Sequence, residues 1–458
     1  MAGGIWTSEN KILPGVYINV KSQPAVTANV GDRGVVAIAK ALSWGESGKV
    51  ITILPGQDTT PLIGYGISTE QARFLREIMR GTDVTTGAYK ILLYRYEGSG
   101  GAKATATLTV PSEGTATSVQ VTAKYDGVLG NDISVVCSID PDTNAADVAT
   151  FVNGSMVDSQ SVTAFDALED NDWVTFTVSG DLQDFTVTLS GGIDPTVSTA
   201  DDADFLTAIE PYTFDIIAYD GTENVAVEAY TAFVKRMNED IGRKCQLVIG
   251  DFSGINSKYV ISAKNGVVLP DGTTYNAQQV VWWLAGAEAG ALYYQSLTYA
   301  QYPTAVSANP KLSNAQVEDA IRAGQIAFVD DWDIVRICTD INTKTTVTPT
   351  EGAEFKKNRV MRVVMQFCND CYKNFTENYI GKVDNNDSGR ALLRAWIIGY
   401  LNEMMANNGI QNFTADDVEV LPGNAIDAVV INVLIQPTDS VEKIYVSVTV
   451  DANIAVQA

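Results

Sequence analysis

The chain has 458 residues, 46% of them hydrophobic, and a formal net charge of −24 from 31 Lys and Arg against 55 Asp and Glu. That length exceeds one ordinary core and implies two to four domains, while the charge disfavours nucleic acid or an anionic membrane as principal partner, because each needs a basic surface. The sequence contains no histidine, which removes the commonest general base, the Ser-His and Cys-His nucleophile pairs and the usual ligands of catalytic zinc.

Near the start, Val16, Tyr17, Ile18 and Val20 belong to a short strand-like piece, isolated by Pro14-Gly15 before it and Gln23-Pro24 after it. From Gly31 to Tyr96 strand and helix alternate. Residues 34–39 and 49–54 are strand runs, Ser68-Thr69-Glu70-Gln71 has the form of a capping box, and Ala72, Leu75, Ile78 and Met79 then share one helical face. Residues 90–96 return as a strand, which opens an α/β domain. At Gly98-Ser99-Gly100-Gly101 the composition turns rich in Thr and Val. Strands at 104–110, 118–125, 132–139, 173–178 and 185–189, closed by Gly191-Gly192, predict an all-β sandwich inserted between two flexible joints.

The α/β pattern resumes with strands at 214–219 and 245–249 around a helix that aligns Val227, Tyr230, Val234, Met237 and Ile241, a parallel βαβ unit. A helix over 275–289, a capping box at Ser313 to Gln316 and a hairpin turning at Asp330-Asp331 follow. After Pro349 a long helix carries Val360, Val364, Phe367, Cys371 and Phe375 on one side, and a second, near 390–405, buries Leu393, Trp396, Ile397, Tyr400 and Met404. Residues 428–435 (AVVINVLI) have the near-continuous apolar form of a strand covered on both faces. In VEKIYVSVTV, residues 441–450, Ile444, Val446, Val448 and Val450 fall on one face and Tyr445, Ser447 and Thr449 on the other. This is a half-buried strand with no obvious partner, and such a strand docks on its own domain or adds to a neighbour's sheet edge.

The fold class is multidomain α+β: an α/β core with an inserted all-β module and a C-terminal α+β domain completed by strands from the terminal arms. Its expected parts are an N-terminal arm at 1–30, core segments at 31–101 and 194–348, an outer module at 102–193, an inner domain at 349–440 and a C-terminal arm at 441–458.

Motifs with chemical potential read more simply as structure. Trp44-Gly45-Glu46-Ser47-Gly48-Lys49 lacks the first glycine of a phosphate loop and its Ser or Thr after the lysine, so it is an ordinary turn. Cys368 and Cys371 have metal or redox spacing, yet lie in a helical pattern with no second pair. An odd count of five cysteines favours free thiols. Asp201-Asp202 and Asp330-Asp331 read as solvated turns. Lys356, Lys357, Arg359 and Arg362 concentrate positive charge in a negative chain, either as a solvated helix end or as a docking surface for an acidic partner. No run approaches the roughly 18 apolar residues of a membrane span and the first residues lack the order of an export signal, so synthesis in a cytoplasm is expected.

Taken in order, Pro14-Gly15-Val16-Tyr17, the buried run after Gly34, residues 90–96 before a variable β insertion, Leu189-Ser190-Gly191-Gly192, and Leu421-Pro422-Gly423 before paired terminal strands resemble a contractile tail sheath protein. The similarity points to sheaths of phage-like particles and contractile bacteriocins of Gram-positive bacteria. The resemblance implies a non-enzymatic subunit of stacked hexameric rings around an inner tube, with baseplate and tail terminator proteins as further partners and no cofactor, metal, nucleic acid or inserted membrane. It implies that Val16, Tyr17, Ile18 and Val20, and Ile444, Tyr445, Val446, Val448 and Val450, are arm strands that cross to neighbours, and that Lys356, Lys357 and Arg359 face the tube. Two rival readings are a surface or adhesin-like protein, from the Thr/Val-rich module, and a hydrolase using carboxylates on the α/β core.

Overall fold

The computed structural model describes residues 31–450 and the strands Ala2–Gly4 and Gly15–Tyr17. The chain forms two compact units, one of residues 1–30 with 377–436, the other of 31–376 with 437–458.

The larger unit is organised by a seven-stranded sheet in the spatial order Gln325–Ile326, Val260–Ala263, Gln246–Gly250, Ile216–Ala218, Val35–Lys40, Lys90–Arg95 and Val50–Ile53. All neighbours are parallel except the last, an antiparallel edge strand. A parallel sheet requires both faces covered. In Val35–Lys40 the alternation is complete: Val36 and Ile38 enter one core with Leu75, Ile78, Trp283 and Leu284, while Val35, Ala37 and Ala39 enter the opposite core with Phe205, Tyr230, Val234 and Met365. The apolar run is therefore continuous because both of its faces are buried.

A sandwich of four-stranded and three-stranded antiparallel sheets, built from strands between Lys103 and Thr188, is inserted after Arg95. Its joints are not flexible as the glycines suggested. Ser99 bridges Thr196, Ala102 bridges Ile193 and Thr105 bridges Ser190, so the entering and leaving chains hold each other. Buried Arg95 locks the junction, donating from Nε to the Leu42 carbonyl at 2.9 Å, from Nη1 to the Gly45 carbonyl at 2.5 Å and Asp126 Oδ1 at 2.9 Å, and from Nη2 to the Asp126 carbonyl at 2.9 Å. The turn that resembles a phosphate loop contributes to the same contact, since Trp44 enters the sandwich core and stacks on Trp173 with centroids 5.0 Å apart.

Several expectations need correction. The helix after Ser68 is Arg73–Met79, with no capping box; Arg76 Nη1 instead donates to the carbonyls of Ile67 and Thr69. The helix expected over 275–289 is Val280–Gly290, because Thr274–Tyr275 is a strand. Asp201 and Asp202 are not a solvated turn. They open the helix Thr199–Ile209, where Asp201 completes a capping box with Ser198 and Asp202 is buried, accepting from Tyr96 Oη at 2.7 Å and Tyr230 Oη at 3.1 Å. Burial raises the Asp202 carboxyl above its usual range, against those phenol hydrogen bonds. The hairpin Phe328–Asp331 with Ile334–Ile337 turns at Trp332-Asp333, not at Asp330-Asp331, and Asp330 accepts from the Ala308 N–H at 2.6 Å and pairs with Lys311 at 2.6 Å. The capping box at Ser313 stands as read.

Trp332 and Asp333 both have left-handed backbone, with φ of +50° and +62°. Side chains at such positions cost about 1 kcal/mol each relative to the Asn-Gly pair that tight hairpins favour. The double substitution W332N/D333G is expected to raise stability by about 2 kcal/mol, read as a higher urea midpoint; a lower midpoint would show that Trp332 packs favourably despite 92% exposure.

Candidate functional site

In the smaller unit, the helix Asp387–Ala406 buries Trp396, Ile397, Tyr400, Leu401 and Met404, and Arg394 Nε donates to the Val418 carbonyl at 2.8 Å. That bond positions the antiparallel hairpin of Val418–Pro422 and Val429–Val433, a sheet of only two strands among the described residues. The run at 428–435 is not covered on both faces: Val429–Val433 alternates half-buried and exposed, and Leu434 is largely exposed. Its apolar character thus exceeds what the subunit buries. Val16 and Tyr17 lie in Gly15–Tyr17, paired in parallel with Gly3 and Gly4, whereas Ile18 and Val20 lie outside the described residues.

After Pro437 the chain belongs to the larger unit. Glu442 Oε1 accepts from Thr298 Oγ1 at 2.8 Å and Oε2 accepts from Lys357 Nζ, with Asp439 a further 3.7 Å partner of that ammonium. Beyond it, residues 443–450 form no strand and no backbone hydrogen bond with another described residue. Ile444, Val446, Val448 and Val450, and Tyr445 on the other side, are all at least 76% exposed. Among the described residues, an alternating apolar segment stands free.

The basic cluster is not a free positive surface. Lys356 donates to the Ile321 carbonyl at 2.6 Å and is held below its ordinary pKa by burial, then by neighbouring Lys357. Lys357 pairs with Glu442, half-buried Arg359 lies within the field of Asp439, and Arg362 is completely buried. The long helix Asn358–Asn378 buries Met361, Val363 and Met365 along with Val360, so the stripe of Val364, Phe367, Cys371 and Phe375 is only half-buried. Burial raises the thiols of Cys368 and Cys371.

Arg362 donates to Glu288 Oε2 at 2.5 Å, to Asp340 Oδ2 at 2.6 Å and to the Gln295 carbonyl at 2.8 Å, while Asn358 Nδ2 holds Glu288 Oε1 at 3.0 Å. Burial, reinforced by Asp340, pushes the Glu288 carboxyl well above the carboxylate range. Burial opposes ionisation of Asp340 as well, but Arg362 and the Leu297 N–H hold it below its ordinary value. A proton on Glu288 makes the cluster of Glu288, Asp340 and Arg362 neutral, the form a water-free site tolerates. Replacing Glu288 by Gln should therefore shift stability by less than about 1 kcal/mol, whereas Asp340→Asn should cost about 3–5 kcal/mol. Denaturation of both variants at neutral pH checks this, and equal losses would contradict it.

At the carboxyl ends of Val35–Lys40 and Ile216–Ala218 a cleft of about 450 Å³ is lined by Lys40, Tyr96, Asp202 and Asp220. Its cation is engaged, since Lys40 pairs with Asp220 at 2.5 Å and Trp282 Nε1 donates to the same oxygen at 2.6 Å.

Four sequence profiles of one family cover nearly all of the chain. The β-sandwich domain of phage tail sheath proteins matches residues 99–194, the central domain 196–343, the C-terminal domain 350–451, and the N-terminal region of domain III of tail sheath protein Gp18 residues 33–95. The chain belongs to the phage tail sheath family. The sheath subunit shares 38% identity with a sheath tail protein of Desulfitobacterium hafniense, with a TM-score of 0.81 over 94% of this chain and 99% of that one. It is 30% identical to the phage-like element PBSX protein XkdK of Bacillus subtilis (strain 168), over 98% of this chain and 100% of the relative. The contracted helical sheath of the anti-feeding prophage shares the fold at 12% identity, with a TM-score of 0.55 over 96% of this chain and 100% of that one. The chain is thus a contractile tail sheath subunit, a component of a phage or phage-like particle.

Sequence reasoning missed Thr298, Glu442 and the Glu288–Asp340–Arg362 cluster. One signal was present for Glu442: it is an acid at the base of an otherwise apolar even-numbered face.

Proposed function

We propose that the subunit polymerises as stacked hexameric rings around an inner tail tube, and that its terminal arms hold the lattice together by adding strands to sheets of neighbouring subunits. Val16, Tyr17, Ile18 and Val20 mark one arm; Ile444, Tyr445, Val446, Val448 and Val450 mark the other. The observation that carries this reading is the free segment at 443–450, whose apolar residues alternate as a strand's do, in a chain that also presents a two-stranded hairpin with apolar residues left exposed. Strand addition satisfies both, since main-chain hydrogen bonds give attachment and alternate side chains give register.

Contraction drives the tube through a cell envelope without a catalytic residue. The extended lattice holds subunits in a state with less surface buried between them, and sliding to the contracted state buries more. At about 25 cal/mol per Å² of apolar area, a few hundred extra Å² per subunit gives several kcal/mol before opposing costs. Assembly takes place in the bacterial cytoplasm, with a tube protein, a baseplate and a terminator as partners. Lys356, Lys357 and Arg359 are weaker candidates for tube contact, because their charges are already engaged within the subunit.

Deleting residues 443–458 should leave a folded subunit, judged by unchanged circular dichroism and melting, that forms no tubes under negative-stain electron microscopy. Normal tubes from the shortened chain, or loss of folding, would count against arm exchange.

A further inference from the structure

Resting on that arm-exchange reading, we propose that Glu442 is the residue that selects which face the carboxy-terminal arm presents, by anchoring its root to the body through Lys357 and Thr298. The boundary between held and free chain falls at this residue. Asp439 and Glu442 both approach Lys357, and Glu442 spends its other oxygen on the Thr298 hydroxyl, whereas residues 443–450 make no backbone hydrogen bond to another described residue. The anchor is seated firmly on the body. Thr298 Oγ1 also accepts the Asp340 N–H at 2.9 Å, and the Asp340 carboxylate is fixed by the buried Arg362. The Glu442 side chain is itself only 14% exposed.

The alternation of an extended chain turns this anchor into a face selector. Glu442, Ile444, Val446, Val448 and Val450 point to the same side of a strand. Holding the Glu442 carboxylate against the body fixes the side to which the Ile/Val stripe turns as the chain departs. A strand that enters a neighbour's sheet with the wrong face puts Tyr445, Ser447 and Thr449 where the apolar stripe belongs, the result of a one-residue slip. Attachment through backbone hydrogen bonds survives such a flip; a single register does not.

Lys357→Met tests the anchor without altering the arm's own sequence or the buried cluster, and the charge exchange K357E/E442K tests it through the ion pair itself. Lys443 is followed by a trypsin-sensitive bond, and cleavage needs several residues on each side to lie extended in the protease. Lys357→Met in the full-length subunit is expected to speed cleavage after Lys443 at least fivefold, and the charge exchange K357E/E442K to return root protection in a separate assay, spin-label mobility at residue 441. In assembled tubes, Lys357→Met is expected to preserve polymerisation but to weaken the layer lines of the helical diffraction pattern, with the charge exchange restoring them. Unchanged cleavage and mobility in Lys357→Met would overturn the anchor. Faster cleavage with tubes as well ordered as the parent's would overturn face selection. Tubes formed by the chain lacking 443–458 would instead refute arm exchange, a result independent of both.

Discussion

A peptide group removed from water needs a hydrogen-bond partner, and an apolar side chain left in water raises the free energy of the subunit. The segment 443–450 meets the first condition only through water and violates the second if it stays alone: it has the alternation of a sheet strand, makes no backbone hydrogen bond to another described residue and exposes Ile444, Val446, Val448 and Val450. The exposed side of Val429–Val433 raises the same demand from the opposite direction, as an edge with apolar residues and only one partner strand among the described residues. Edge strands of this kind are a hazard in a monomer, which proteins ordinarily blunt with charge or proline. Here the arm carries neither between Ile444 and Val450, as a chain made to polymerise requires.

A strand that joins subunits transmits force only if its root is held by something stiff. The root at Asp439 and Glu442 meets Lys357 and Thr298, and Thr298 in turn meets the Asp340 backbone beside a fully buried Arg362. That cluster ties the start of the long helix to Glu288 on the helix Val280–Gly290, which packs against the seven-stranded sheet. The sheet is covered on both faces and carries an antiparallel edge strand. The sandwich is bound to the sheet's end through Arg95 and Trp44.

The core strands were legible because double burial writes itself as a continuous apolar run, as in residues 35–39. The same rule misled at 428–435, where the run is apolar but half-exposed, since composition alone does not record whether an apolar face is covered. The hairpin of Ala146–Val152 with Ser155–Val162 was missed although Asn153-Gly154 is a strong turn signal, with φ of +50° and +76°. Asp202 and Arg362 were misread as surface charges because burial of an ion depends on partners remote in sequence, Tyr96 and Tyr230 for one, Glu288 and Asp340 for the other. No local pattern records such a pairing. The sheath resemblance came from the order of weak features along the chain, which local chemistry alone does not supply.

The most direct measurement is a helical reconstruction of assembled tubes by electron cryomicroscopy, at a resolution that traces the main chain. Residues 443–450 are predicted to run as a strand hydrogen-bonded into the sheet of a different subunit. The same residues folded back onto their own body, with subunits touching only through side chains, would contradict arm exchange as the bond that keeps the sheath intact.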